Sequence, residues 1–145
     1  DFRTYITQIK EAIAEITASN TVIDDSQINK FVKELVSDAI LILGIIPKHN
    51  FAGKDENLQS KDVTSILVLK KIERSDQLHE DFLDSMQELQ EVTKKVIDKL
   101  MADYNDEDNC SFMRKLILPS FDINPIWGLS SCDGYQIDFS LNTNV

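Results

Sequence analysis

The run Val63-Thr64-Ser65-Ile66-Leu67-Val68-Leu69-Lys70-Lys71-Ile72 decides the fold. Read with the two-residue period of a strand, it places Val63, Leu67 and Leu69 on one face and Ile66, Val68 and Ile72 on the other. A strand that is apolar on both faces needs cover on both. Upstream, Ala39 to Ile46 is an all-apolar run that fits either a helix ending at Gly44 or a buried strand. Its β-branched end and the closing Pro47 favour a strand over 40–46. Downstream, Tyr135, Ile137, Phe139 and Leu141 alternate with Gln136, Asp138, Ser140 and Asn142, which predicts a strand with one buried and one wet face.

The remaining pattern is helical at both ends of this set. Phe2, Tyr5, Ile6, Ile9, Ala12, Ile13 and Ile16 recur at three- and four-residue steps and predict a helix over about 2–18. Asp25 or Ser26 can cap a second helix with Ile28, Phe31, Val32, Leu35 and Val36 on its apolar face. The longest helix is predicted over about 76–103, started by Ser75 or Asp76, with Leu78, Phe82, Met86, Leu89, Val96 and Leu100 on one side. Residues 47–62 read as a long polar loop, mobile in the isolated subunit and ordered by contact with a neighbour, with Phe51 as the anchor that docks. Residues 103–109 read as an acidic turn, Phe112 to Leu118 as a further strand, and Phe121 to Trp127 as an irregular or bulged extension. The predicted order is α-α-β-β-α-β-β: one α+β domain spanning 1–145, mainly antiparallel, of about four strands packed with two N-terminal helices and one long one.

The 145 residues carry 15 basic and 25 acidic side chains, a formal net charge of −10. That balance excludes the basic surface of a typical nucleic-acid-binding domain and opposes docking on anionic lipid. No apolar run approaches the ~20 residues of a membrane span, and no basic start followed by an apolar core marks a signal peptide. The acidity is local: residues 76–108 hold 11 acids and 3 bases. Glu80, Asp84 and Glu88 stack at four-residue spacing, a like-charge arrangement that costs roughly 0.2–0.5 kcal/mol per pair in an isolated helix. Glu91 is better placed, with Lys94 and Lys95 nearby in sequence. This ridge is either a solvated helix face or a surface that repels a polyanion or meets a basic partner.

Chemistry is sparse. Gly128-Leu129-Ser130-Ser131-Cys132 lacks the closing glycine of a nucleophile elbow. An EF-hand register started at Asp103 puts Asp108 where a glycine is needed and Arg114 where the bidentate glutamate belongs. The four glycines are isolated, so there is no phosphate-cradling loop. Cys110 and Cys132 fit no metal or redox spacing and are expected to be reduced thiols of a cytosolic chain, with a disulfide between them left open. His49 and His79 are expected to be solvated or partly packed. No catalytic residue, cofactor or metal is therefore expected. Trp127, between Pro125-Ile126 and Gly128-Leu129, is either a buried anchor beneath a turn or an interface anchor.

The element order, the loop ending Asp55-Glu56-Asn57-Leu58-Gln59, the strand Ser65-Ile66-Leu67-Val68-Leu69, the acidic helix and the ending Gly134-Tyr135-Gln136-Ile137-Asp138-Phe139-Ser140-Leu141 together resemble the tail-terminator or tail-completion proteins of tailed bacteriophages. The resemblance spans about residues 2–142 and rests on element order rather than on a diagnostic motif. It implies a small α+β domain without catalysis, a homo-oligomeric ring at the head–tail junction, tail-tube and connector proteins as partners, DNA passing without specific binding, and a place in the virion after assembly in the host cytoplasm. In a ring of six, the count the resemblance implies, the charge becomes roughly −60, which disfavours phosphate binding because binding needs Lys or Arg and counterion release. The interaction residues expected on this basis are Glu80, Asp84, Glu88, Glu91, Phe51 and Trp127. A different class of function is also open: an acidic cytosolic adaptor that binds a basic protein partner through the 76–103 helix.

Overall fold

The computed structural model describes residues 1–46, 51–52, 59–73, 77–106, 113, 116 and 121–144. Their order is α1 (Phe2–Ala12), β1 (Ala18–Val22), α2 (Asp25–Val32), β2 (Ile40–Ile45), β3 (Phe51–Ala52), β4 (Gln59–Lys71), α3 (His79–Asn105), β5 (Asp122–Leu129) and β6 (Cys132–Asn144). The class is α+β. One sheet runs β1-β2-β4-β6-β5, with β3 paired to the start of β4. Among the described residues only β1–β2 is parallel; the other pairings are antiparallel.

β4 sits at the middle of this sheet; Ile66 to Leu69 are buried on both sides, as the pattern requires, whereas Val63, expected on a buried face, is 57% exposed. Ile66 and Val68 join Ile40, Ile42, Ile137, Phe139 and Leu141 beneath α1 and α3. Leu67 and Leu69 join Leu41, Leu43 and Cys132 beneath Ile28 and Val32 of α2. The chain's own helices thus supply both layers. On β6 the expected alternation holds: Ile137, Phe139 and Leu141 are buried on the α3 side and Tyr135 packs half-buried against them. A one-residue register slip would put that whole set in water.

Several local expectations are corrected. α1 stops at Ala12, because Ile13 turns to extended backbone. Ile13 and Ile16 still reach the core, but from a turn, so their three-residue spacing mimicked a helix. The freed segment becomes β1, which pairs in parallel with β2 from Ala18↔Leu41 to Val22↔Ile45. Asp24, not Asp25 or Ser26, caps α2 by accepting the Gln27 N–H at 3.1 Å. α2 ends at Val32, leaving Val36 exposed. The loop expected over 47–62 contains β3, and β4 already begins at Gln59; the expectation about its mobility concerns residues that lie outside the described ones. α3 begins at His79 with Leu78 as its cap residue, whose N–H is taken by Asp81, and it runs on to Asn105, into the start of the expected acidic turn. Of the strand expected over 112–118, Met113 has 3₁₀ conformation and Leu116 forms an isolated bridge to Leu141; the rest is outside the described residues. The irregular or bulged extension expected over Phe121 to Trp127 is the edge strand β5, and it does carry a bulge, between Ile126 and Leu129. Cys132 is a buried thiol whose Sγ donates to the Ser130 carbonyl at 3.8 Å; Cys110 lies outside the described residues.

Two positions make this core testable. Phe139 is 1% exposed and its ring meets that of Phe121, centroids 5.7 Å apart. Phe139→Ala is expected to destabilise by about 3–5 kcal/mol, read from urea unfolding. A Cβ on Gly134 would stand 1.9 Å from the Val68 carbonyl oxygen of the neighbouring strand. Gly134→Ala therefore has to push β4 and β6 apart and is expected to lower the melting temperature strongly.

Candidate functional site: the acidic face of α3 and the β5–β6 turn

α3 is anchored along part of its length. Its buried residues begin at Leu89 and continue through Val92, Thr93, Val96, Leu100 and Asp103. The turns before Leu89 carry no buried side chain, and Leu78 and Leu83 are exposed. Residues 79–91 hold five acids and no lysine or arginine. His79 is exposed and stacks on Phe82 with centroids 5.8 Å apart.

All four ridge residues, Glu80, Asp84, Glu88 and Glu91, are exposed. They are not equivalent. Glu88 accepts a charge-assisted hydrogen bond from Lys70 of β4 at 3.0 Å, so it ties the helix to the sheet. The sequence-based pairing of Glu91 with Lys95 is not made: Lys95 reaches Glu15 at 2.8 Å instead. That hydrogen bond is the main reason the Glu15 carboxyl lies below the usual carboxylate range. Beside Glu91, between α3 and β5–β6, opens a mainly apolar cleft of about 430 Å³ lined by Ile97, Ile123 and Tyr135, with Lys94 at its rim.

The far end of α3 is fixed by a buried polar contact invisible in the sequence pattern. The Tyr5 hydroxyl of α1 donates to Asp103 Oδ2 at 2.7 Å, and Lys99 Nζ lies 3.0 Å from Oδ1 of the same carboxylate. Asp103 is 7% exposed, so both oxygens find donors where water is scarce. Burial, then the hydrogen bond and the negative charge of Asp103, push the Tyr5 phenol above its ordinary value. Sequence spacing had placed Asp103 in a solvated turn; only the contact of α1 with α3, across 98 residues of chain, reveals its role.

The structure separates the remaining expected residues. Trp127 is 70% exposed, which rules out the buried-anchor reading. It lies on β5, at the opposite edge of the sheet from β1. Phe51 begins β3 opposite Ser60; its side chain is outside those described. The ridge, Phe51 and Trp127 lie on separate elements, α3, β3 and β5. Among the described residues no cluster of three or more His, Cys, Asp or Glu is placed to hold a metal ion, and no helix is long and apolar enough to cross a membrane. The arrangement offers charged and aromatic contact surfaces. No family model matches the sequence, and no curated protein matches it.

The Tyr5–Asp103 contact has a pH signature. A phenol with a raised folded-state value gives its full stabilisation below its unfolded value of about 10 and loses it as pH rises beyond that. Unfolding free energy in urea is expected to fall between pH 9 and 11, and Tyr5→Phe to shrink that fall. At pH 7 the same variant should cost about 1.5–3 kcal/mol, the range for a hydrogen bond to a charged group.

Proposed function

We propose that this chain is a structural, non-catalytic virion protein of a tailed phage. It assembles as a homo-oligomeric ring at the head–tail junction, ends the tail tube, contacts tail-tube and connector proteins, and lets DNA pass without binding it. The observation that carries the reading is the cation-poor acidic first half of α3, where Glu80 and Asp84 are exposed on turns that hold no fully buried residue. An α+β domain with both sheet faces packed agrees with what the phage resemblance implies. In this reading the ridge faces the channel or its mouth. A wall of carboxylates near DNA lowers sticking, and at physiological salt it acts only within a Debye length of about 8 Å.

Glu88 is tied to Lys70, so the informative reversal leaves it alone. The triple variant Glu80→Lys, Asp84→Lys and Glu91→Lys is expected to keep ring assembly, seen by electron microscopy, and to gain DNA affinity that falls steeply with salt. A slope of log affinity against log salt of about −0.9 per phosphate contact would mark the gain as electrostatic. A ring with this ridge on its outer wall would remove the channel placement. A chain that stays monomeric, and whose reversal abolishes binding of a basic protein, would instead favour the adaptor function.

A further inference from the structure

A second surface lies on the α2 side of the sheet, away from the α3 ridge. β5 and β6 are joined through Ser130 and Ser131, whose φ values of 49° and 66° are both left-handed. Two such residues between the paired Leu129 and Cys132 form the tight hairpin turn usually made by Asn-Gly. Just before it, Gly128 has φ of 76° and donates its N–H to Oδ1 of the fully buried Asp133 at 3.0 Å. The indole of Trp127 is therefore held out by a fixed turn.

Trp127 and the 59%-exposed Ile23 look onto one open cleft of about 590 Å³, whose apolar floor includes Ile45 and Ile126. Isolated exposed apolar residues are ordinary; two large ones converging on a cleft mark an interaction site. The charged lining consists of the Asp24 and Asp25 carboxylates at the start of α2, with no cation among the described lining residues. The α2 N-terminus adds only about half a positive charge, so the cleft is negative on balance.

We propose that this cleft docks a segment of a partner protein that carries a lysine or arginine beside an apolar side chain. The apolar side chain covers Ile126 and Ile45; the cation sits between the carboxylates and the indole face, where ion pairing and cation–π attraction act together. The inference stands apart from the ring, which rests on α3.

Trp127 is the only tryptophan, so its fluorescence reports on the cleft directly. The probe is a short capped peptide of alternating lysine and leucine, against a counterpart with glutamate in place of lysine. The lysine peptide is expected to give a saturable blue shift, weakened roughly tenfold in Asp25→Lys and less in Asp25→Asn. Both variants keep the Asp24 cap, and circular dichroism verifies that they fold. The glutamate peptide should give no saturable shift. An equal response to both peptides, no response to either, or an unchanged titration in both folded variants would overturn the proposal. A blue shift that grows with protein concentration alone would assign the cleft to a second copy and overturn it as well.

Discussion

The burial of β4 on both faces is the constraint from which the rest follows. Ile66 and Val68 on one side and Leu67 and Leu69 on the other cannot all be hidden by a single layer. The chain answers with α1 and α3 above the sheet and the shorter α2 below it. Lys71, at the end of β4, secures the lower layer: its ammonium donates to the Val32 and Leu35 carbonyls at 3.0 and 2.5 Å, around the C-terminal end of α2 where a cation is favoured. Lys70, its neighbour on the opposite face, holds Glu88 of α3. Adjacent lysines on one strand thus fasten a helix on each side, because successive strand residues point to opposite faces.

This division leaves two different acidic surfaces. The upper layer places five acids without lysine or arginine over residues 79–91, a solvated ridge whose apolar stripe is half-buried at Phe82 and Met86 and fully buried from Leu89. The lower layer is shorter: α2 has eight residues, and it covers the Leu41, Leu43, Leu67 and Leu69 end of the sheet. Past it the lower face opens into the cleft beneath Trp127. The ridge is almost purely electrostatic, so its influence should fade with salt. The cleft combines charge with apolar area, so it should retain binding strength in salt that the ridge loses.

Much of the architecture was legible because burial imposes period. The alternation on β6 and the double-sided run on β4 each leave few structural alternatives, and both strands lie where expected. β1 was not legible: Ala18-Ser19-Asn20-Thr21-Val22 has little apolar pattern of its own, and pairing with β2 decides its conformation. Ile13 and Ile16 added to the error by continuing a helical spacing through a turn. The site was legible only in part. Exposure of the ridge follows from helix phase, and Trp127 beside Gly128 signalled a turn. The convergence of Ile23, Asp24 and Asp25 on Trp127 could not be read, because it joins the start of α2 to the far edge strand across about a hundred residues of chain. The Tyr5–Asp103 contact was hidden for the same reason.

Both edges of the sheet bear on how such a chain meets partners. Among the described residues β1 and β5 each have one strand neighbour, and unpaired edges invite added strands. Each edge is blunted. On β1, the Asn20 side chain takes the Thr21 N–H at 2.8 Å, removing a donor that an incoming strand would use. On β5, Pro125 sits opposite Tyr135 with no N–H to offer, and the bulge after Ile126 breaks the regular spacing. Strand addition would have to displace the Asn20 side chain on one edge and skip a donor on the other. A variant that freed an edge, such as Pro125→Val, would therefore add a route to aggregation that the parent chain blocks.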